Sequence, residues 1–243
     1  MPKGRQRAAI IVTGGSTAPS AEVVAHLPVD AFVIAADSGF DHAVALRLNV
    51  DLLLGDLDSI SADGLASAVD SRVMVQQFPQ GKDETDTELA IAAALDAECS
   101  EIIGISGGGG RLDHELTTLF AFAAIDRCPV TVWSGTTLVR VLIGPGTLQI
   151  ERTAAGLVSL VPVHGDAAGV TTSRLRYRLV DETLRAGSAR GTSNEFTAAD
   201  AAVSLRSGTL LVIVPDATDN PFADGHLTER NDTDRHVNEG TTP

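Results

Sequence analysis

Asp51-Leu52-Leu53-Leu54-Gly55-Asp56-Leu57-Asp58-Ser59 is an apolar run that stops in two carboxylates. Consecutive leucines without polar alternation predict a strand covered on both faces, as in a parallel sheet flanked by helices. Such sheets collect ligands at the carboxyl ends of their strands, where Asp56 and Asp58 would stand. In an extended turn the two side chains project to the same side, because strand side chains alternate with a period of two. Two carboxylates so placed ask for a cation, and the magnesium that accompanies nucleotide phosphates is the commonest answer. The alternative is a pair of ordinary turn carboxylates capping the next helix.

Residues 8–12 and 31–36 are further unbroken apolar runs, each predicted to be a buried strand. The first leads into Thr13-Gly14-Gly15-Ser16, where glycine lets the backbone turn tightly and bring N–H groups to an anion. Pro19-Ser20 then opens a helix to about residue 27. The second ends in Asp37-Ser38-Gly39 before a helix over residues 40–48, with Asp37 either its N-cap or a site residue. Past the opening stretch, a helix starts near Ser61-Ala62-Asp63 and residues 72–76 form a fourth strand.

Gly81-Lys82-Asp83-Glu84-Thr85-Asp86 introduces a helix reaching about residue 97. Asp83 as N-cap with Asp86 three residues on would be a variant capping arrangement, and carboxylates suit the positive end of a helix. Capping does not account for Lys82 immediately ahead. Nor is this a Walker A loop, since Gln76 stands where its first glycine would fall and Lys82 precedes Asp. Residues 101–106 form a fifth strand that runs into Gly107-Gly108-Gly109-Gly110-Arg111-Leu112-Asp113-His114 and a helix to about residue 125. A glycine run at a helix N-terminus is an anion site, and the Arg111 guanidinium is a fork suited to phosphate oxygens. Asp113 is open to being only the cap and His114 only a first-turn residue. Leu112 occupies the place of the third glycine of a dinucleotide fingerprint, so that motif is excluded. Residues 129–134 close this half with a sixth strand.

The alternation predicts an α/β unit over residues 8–135: a mostly parallel sheet with helices on both faces. After Gly135 the pattern changes to short β-rich runs at 138–143, 146–151, 157–163, 169–172, 201–205 and 209–214. These predict a C-terminal all-β sandwich over residues 136–215. Within it lie Tyr177, the sole tyrosine, and the polar cluster Gly191-Thr192-Ser193-Asn194-Glu195-Phe196. Taken singly, these are as well explained by a core-facing ring and a polar turn. Residues 216–243 are polar and punctuated by Pro and Gly, and are expected to be a disordered tail.

With 243 residues, 44% of them hydrophobic, the chain has material for a substantial core. A net charge of −14 argues against a nucleic-acid or anionic-membrane surface. It does not oppose a metal–nucleotide complex held by carboxylates and backbone N–H groups. Cys99 and Cys128 are far apart and make neither a zinc pattern nor a disulfide framework. The apolar run after the basic start is too short for a signal peptide or a membrane span, so a cytoplasmic protein is expected.

Six stretches in order also resemble the thiamine pyrophosphokinase (thiamine diphosphokinase) family. They are Ala36-Asp37-Ser38-Gly39, GDLDSI from Gly55, KDETDTELA from Lys82, GGRLDH from Gly109, Leu175-Arg176-Tyr177-Arg178-Leu179, and TSNEF from Thr192. Ser38 stands where the family more often has glycine, and Tyr177 where animal members have tryptophan. The resemblance implies an α/β catalytic domain, a β-sandwich, and a homodimer with active sites at the subunit interface. It implies transfer of the terminal diphosphate of ATP to the hydroxyethyl oxygen of thiamine, with release of AMP. Asp56, Asp58 and Asp86 would hold Mg2+, with Asp83 a further ligand or a cap. Lys82 would lie near the phosphates or the substrate, and Asp58, Asp86, Lys82 and Arg111 would form the catalytic set. Thr13, Gly14, Gly15, Asp37, Gly108, Gly109, Gly110, Arg111, Asp113 and His114 would surround the nucleotide. Tyr177, Ser193 and Asn194 would meet thiamine from the partner subunit. Asp86 and Asp113 are the carboxylates available to take the hydroxyl proton. Transfer to another hydroxymethyl heterocycle such as a pterin, or a non-catalytic nucleotide- or thiamine-binding regulator, are the alternatives.

Overall fold

The computed structural model describes residues 7–70 and 73–218. Six strands run parallel: β1 (Ala9–Val12), β2 (Phe32–Ala36), β3 (Leu52–Gly55), β4 (Met74–Gln77), β5 (Ile102–Ser106) and β6 (Val130–Ser134), in the spatial order β4-β3-β2-β1-β5-β6. The apolar runs alternate in where they pack, not in polarity. Ile10 and Val12 meet Val23, Ala43 and Leu46 on one face. Ala9 and Ile11 meet Ala90, Ile91, Ala94 and Phe122 on the other. Val23 lies in a 3-10 helix (Ala21–His26), and Ala43 in α1 (Gly39–Ala45) with Leu46 just past its end. The opposite face is covered by α3 (Asp86–Asp96) and α4 (Leu112–Ala123); α2 (Ala62–Asp70) follows the Asp-x-Asp. Both faces of β1 are therefore fully buried, which is why its sequence shows no polar alternation.

The helix predicted after Ser20 is a short 3-10 turn. Ser20 Oγ accepts from Glu22 N at 3.3 Å, and the backbone is extended again at Leu27. The α3 start also differs from the predicted one. Thr85, not Asp83, is the N-cap, in a complete capping box with Glu88, so helix geometry begins at Asp86. Ser-or-Thr-x-x-Glu outcompetes Asp-x-x-Asp because the longer Glu88 side chain reaches back to the Thr85 N–H. The fourth strand spans Met74–Gln77, and the predicted start at residue 72 lies outside the described residues.

Beyond β6 the sheet turns antiparallel without a break, through β7 (Thr137–Ile143) to β13 (Ser207–Val214), β9 (Leu157–Ser173), β12 (Asp200–Leu205) and β8 (Gly146–Glu151). The runs 157–163 and 169–172 belong to one strand of 17 residues. Its first part pairs with β13 and its last part with β12. Positive φ at His164 (60°) and Gly165 (135°) bends the strand there instead of ending it. Two short strands were not legible in the sequence: β10 (Glu182–Leu184) and β11 (Asn194–Glu195), both paired to β9. Of the expected tail, Ala217 is buried and its N–H donates to Thr136 O at 2.8 Å; residues 219–243 lie outside the described residues.

Candidate active site

From β1 the chain moves outward to β2, β3 and β4, then returns to place β5 on the other side of β1. The strand order reverses there, and the loops leaving the strands diverge to leave a crevice. A cavity of about 710 Å³ fills it. Thr13–Ser16 line it after β1, Asp37 and Ser38 after β2, Asp56, Asp58 and Ser59 after β3, and Ser106 and Gly108–Arg111 after β5, with Gln80 and Lys82 approaching from the segment before α3.

On one side stands an acidic cluster. Asp37, Asp56 and Asp58 each offer a carboxylate oxygen, and the three oxygens lie within 4.8 Å of one another. Asp56 and Asp58 are not brought together by strand alternation. Leu57 has a left-handed backbone (φ 64°), and Asp58 N donates to Asp56 Oδ1 at 3.2 Å, an Asx-type turn. Ser59 Oγ (2.8 Å) and Gln80 Nε2 (2.7 Å) donate to opposite oxygens of Asp58, and the Ser59 bond foremost holds its carboxyl below the ordinary range. Asp37 also has a left-handed backbone (φ 48°). Burial, reinforced by Asp86 and Asp56, pushes its carboxyl above the ordinary range despite the Ser38 N–H that opposes the shift. Its buried Oδ1 has no hydrogen-bond donor. A desolvated, unpartnered carboxylate oxygen beside two more is an all-oxygen donor set, which fits Mg2+.

Asp86 faces the same cavity but is turned to Lys82: its Oδ1 lies 2.8 Å from Lys82 Nζ and has no donor beyond that charge contact. The Asp86 carboxylate, then weaker effects of Asp56 and Asp37, hold the Lys82 ammonium above its usual range, so it stays charged. Asp83 is exposed and outside the lining, because the helix it was expected to cap begins three residues later.

The glycine loop after β5 lines the same cavity. Gly108, Gly109 and Gly110 have φ of 72°, 70° and 82°, a left-handed run that side-chain-bearing residues rarely adopt. Arg111 is the N-cap of α4 and forms no side-chain cap bond. Its Nε donates to Asp113 Oδ1 at 3.2 Å and a terminal nitrogen reaches Oδ2; the pair holds the Asp113 carboxyl down at about 2. Arg111 and His114 line the cavity; Asp113 does not. Glu115 does, accepting from Ser134 Oγ at 3.0 Å. Sequence reasoning missed Gln80 and Glu115, which lie next to quoted motifs, and Ser59, which lies inside one.

Tyr177, Ser193 and Asn194 are absent from this lining. They lie together near β11. Asn194, buried to 3% exposure, grips the main chain of Tyr177, while the Tyr177 ring is half exposed. Arg176 sits over that ring at 5.5 Å and is itself held by Glu195 at 3.0 and 2.8 Å. Ser193 is exposed, with a left-handed backbone (φ 54°) and its N–H bonded to Ser159 Oγ at 3.0 Å.

A parallel sheet whose switch point carries an acidic cluster and a glycine loop in one crevice, extended by antiparallel strands, defines an α/β protein with a ligand-sized cleft at its strand ends. Comparison narrows the class. The family model for the thiamin pyrophosphokinase catalytic domain matches residues 26–132, and that for the thiamin pyrophosphokinase vitamin B1 binding domain matches residues 147–210. The chain belongs to the thiamine pyrophosphokinase family. Thiamine pyrophosphokinase 1 of Arabidopsis thaliana is 28% identical over 163 residues, 63% of this chain and 60% of that protein; the match thus spans about 60% of the relative's length. The crystal structure of thiamine pyrophosphokinase from Bacillus subtilis superposes with a TM-score of 0.77 at 22% identity, covering 86% of this chain and 99% of that one. A thiamin pyrophosphokinase family protein from Enterococcus faecalis gives 0.70 at 25% identity, with 86% and 98% covered.

Proposed function

We propose that this chain transfers diphosphate from ATP to the hydroxyethyl oxygen of thiamine, giving thiamine diphosphate and AMP. The observation that carries the proposal is that the clustered Asp37, Asp56 and Asp58 and the left-handed Gly108–Gly110 loop line one cavity. Residues 8–135 would serve as the catalytic domain and residues 136–215, as a β-sandwich, as the thiamine-binding and dimerisation domain.

The backbone N–H groups of Gly14, Gly15, Ser16, Gly109 and Gly110 would receive phosphate oxygens, and Arg111, held by Asp113, would add its charge. Asp37, Asp56 and Asp58 would hold magnesium, which when bound neutralises phosphate charge. Lys82, kept protonated and aimed by Asp86, would stabilise the oxygens gaining charge as the bond to AMP breaks. The alcohol attacks the β-phosphorus in line, so the protein's work is positioning and charge compensation. Of the two carboxylates expected to take the hydroxyl proton, Asp86 lines the cavity, paired with Lys82, and Asp113 does not.

Tyr177 does not line the cavity of its own chain, so it would meet thiamine bound to a second copy, the free face of its ring turned to the cationic heterocycle. A homodimer has an apolar stripe to use: Leu112, Leu116 and Phe120, one helical turn apart on α4, are 67%, 44% and 44% exposed. No described helix is long and apolar enough to cross a membrane. Both cysteines are free thiols, which fits the reducing cytoplasm where ATP is found.

A substrate panel tests the acceptor. With ATP and Mg2+, thiamine is expected to gain two phosphates by mass spectrometry and a hydroxymethylpterin none. Modification of the pterin alone would reassign the acceptor, and modification of neither by folded protein would leave only a binding role.

A further inference from the structure

A second cavity, of about 340 Å³, lies where β6 and β7 meet β8, and it shares no lining residue with the first. Arg140 projects into it. On β7 Arg140 alternates with Val139 and Val141, placing it on the same face as Leu138 and Leu142. That face points inward, for Leu142 is buried with Ile150, Val203 and Leu210, and Leu138 packs against them. The Arg140 guanidinium donates to Gln149 O at 3.2 Å. It forms no ion pair among the described residues; Glu101 acts on it only through space. Burial pushes Arg140 below its usual range. A half-buried cation with one neutral acceptor is a group with unmet demand for an anion.

Arg152 lines the same cavity and likewise has no ion pair among the described residues. Of the acidic lining residues, Asp200 is already taken by Arg174 at 2.6 Å, and Glu151 is exposed. Apolar lining comes from Leu138, Ile150, Val214 and Trp133, whose ring is 5.0 Å from that of His26, with Gln149 and Thr153 as neutral polar neighbours. Two guanidinium forks beside an apolar wall suit a tetrahedral oxyanion carried on a flat body.

We propose that this cavity is a binding site for a small organic phosphate, its phosphate on Arg140 and Arg152 and its ring against Leu138 and Ile150. The volume lies at the lower end of small-ligand sites, which begin at about 300 Å³. The site is independent of the transfer chemistry proposed above, and substitutions in it need not touch that chemistry.

Trp133 is the sole tryptophan, so its emission reports on the cavity directly. The full-length protein is titrated with phenyl phosphate, with phenol as the uncharged control. A saturable change in emission is expected with phenyl phosphate and not with phenol. Arg140→Gln and Arg152→Gln should each raise the midpoint about tenfold or more, while Lys82→Met, in the other cavity, should leave it unchanged. Arg152 is exposed, so its variant remains informative if Arg140→Gln fails to fold. No saturable change, an unshifted midpoint in Arg152→Gln, or loss of the response in Lys82→Met would overturn the proposal.

Discussion

Asn194 holds Tyr177 by its main chain at both ends: Oδ1 accepts the Tyr177 N–H at 2.9 Å and Nδ2 donates to the Tyr177 carbonyl at 2.8 Å. The same Oδ1 accepts the Glu195 N–H at 3.0 Å. With its amide committed to backbone, Asn194 acts as a positioning residue. Asn194→Ala should therefore lower stability by about 1–3 kcal/mol, because it strands part-buried N–H and C=O groups. It should also raise the KM for thiamine. Tyr177→Ala, at a half-exposed ring, should raise that KM with little change in stability. Denaturant unfolding beside steady-state kinetics separates the two.

Asp37 is half-buried and its Oδ1 lies buried without a donor, so its charge opposes folding unless a cation sits beside it. Asp37→Asn is expected to raise the melting temperature of metal-free protein and to abolish the further rise that Mg2+ gives the parent. Thermal melts across a magnesium titration check both halves.

Lys82 should matter for rate more than for fold. Lys82→Met is expected to cut kcat by about 100-fold or more, the scale of losing one donor to transition-state charge. Magnesium-dependent stabilisation should persist, since Lys82 is not among the three clustered carboxylates.

Arg111 holds the Asp113 carboxyl at about 2, below the ordinary 3.8. A depressed folded-state value means that the pair's contribution is present above the ordinary carboxylate range and fades as pH falls through about 2. The Asp113 resonance should thus stay that of the ionised form between pH 8 and 4 by NMR, and Arg111→Gln should return its midpoint to the ordinary range. Any acid limb of the activity profile in that interval belongs to another group.

The parallel half of the sheet was readable because apolar runs and glycine or acidic loops mark each strand's end, as in Leu52-Leu53-Leu54-Gly55-Asp56. The grouping of carboxylates was harder to read. Asp37 lies well before Asp56 in the chain, and only the parallel register of β2 and β3, with Ala36 opposite Leu54, brings them together. The family resemblance implies Asp83 as a further ligand or a cap, yet the capping box at Thr85 fixes where α3 begins and Asp83 is outside the cavity lining. The bend in β9 was hidden for a local reason: Gly165 reads as a strand end, though positive φ there only turns the strand toward a new partner.

If the α4 stripe seats a second copy, Leu116→Glu should shift the protein to a smaller species in sedimentation velocity. Activity should fall with it, because Tyr177 does not line its own chain's cavity.

The central claim is transfer of a diphosphate unit at the cavity between β1 and β5. Its most direct measurement is the fate of label from ATP marked in turn at the β- and γ-phosphates, with thiamine and Mg2+ present. Both labels should appear on thiamine in equal amounts, with unlabelled AMP released and no transfer by Asp58→Ala. Transfer of the γ-label alone, or equal transfer by Asp58→Ala, would contradict the account.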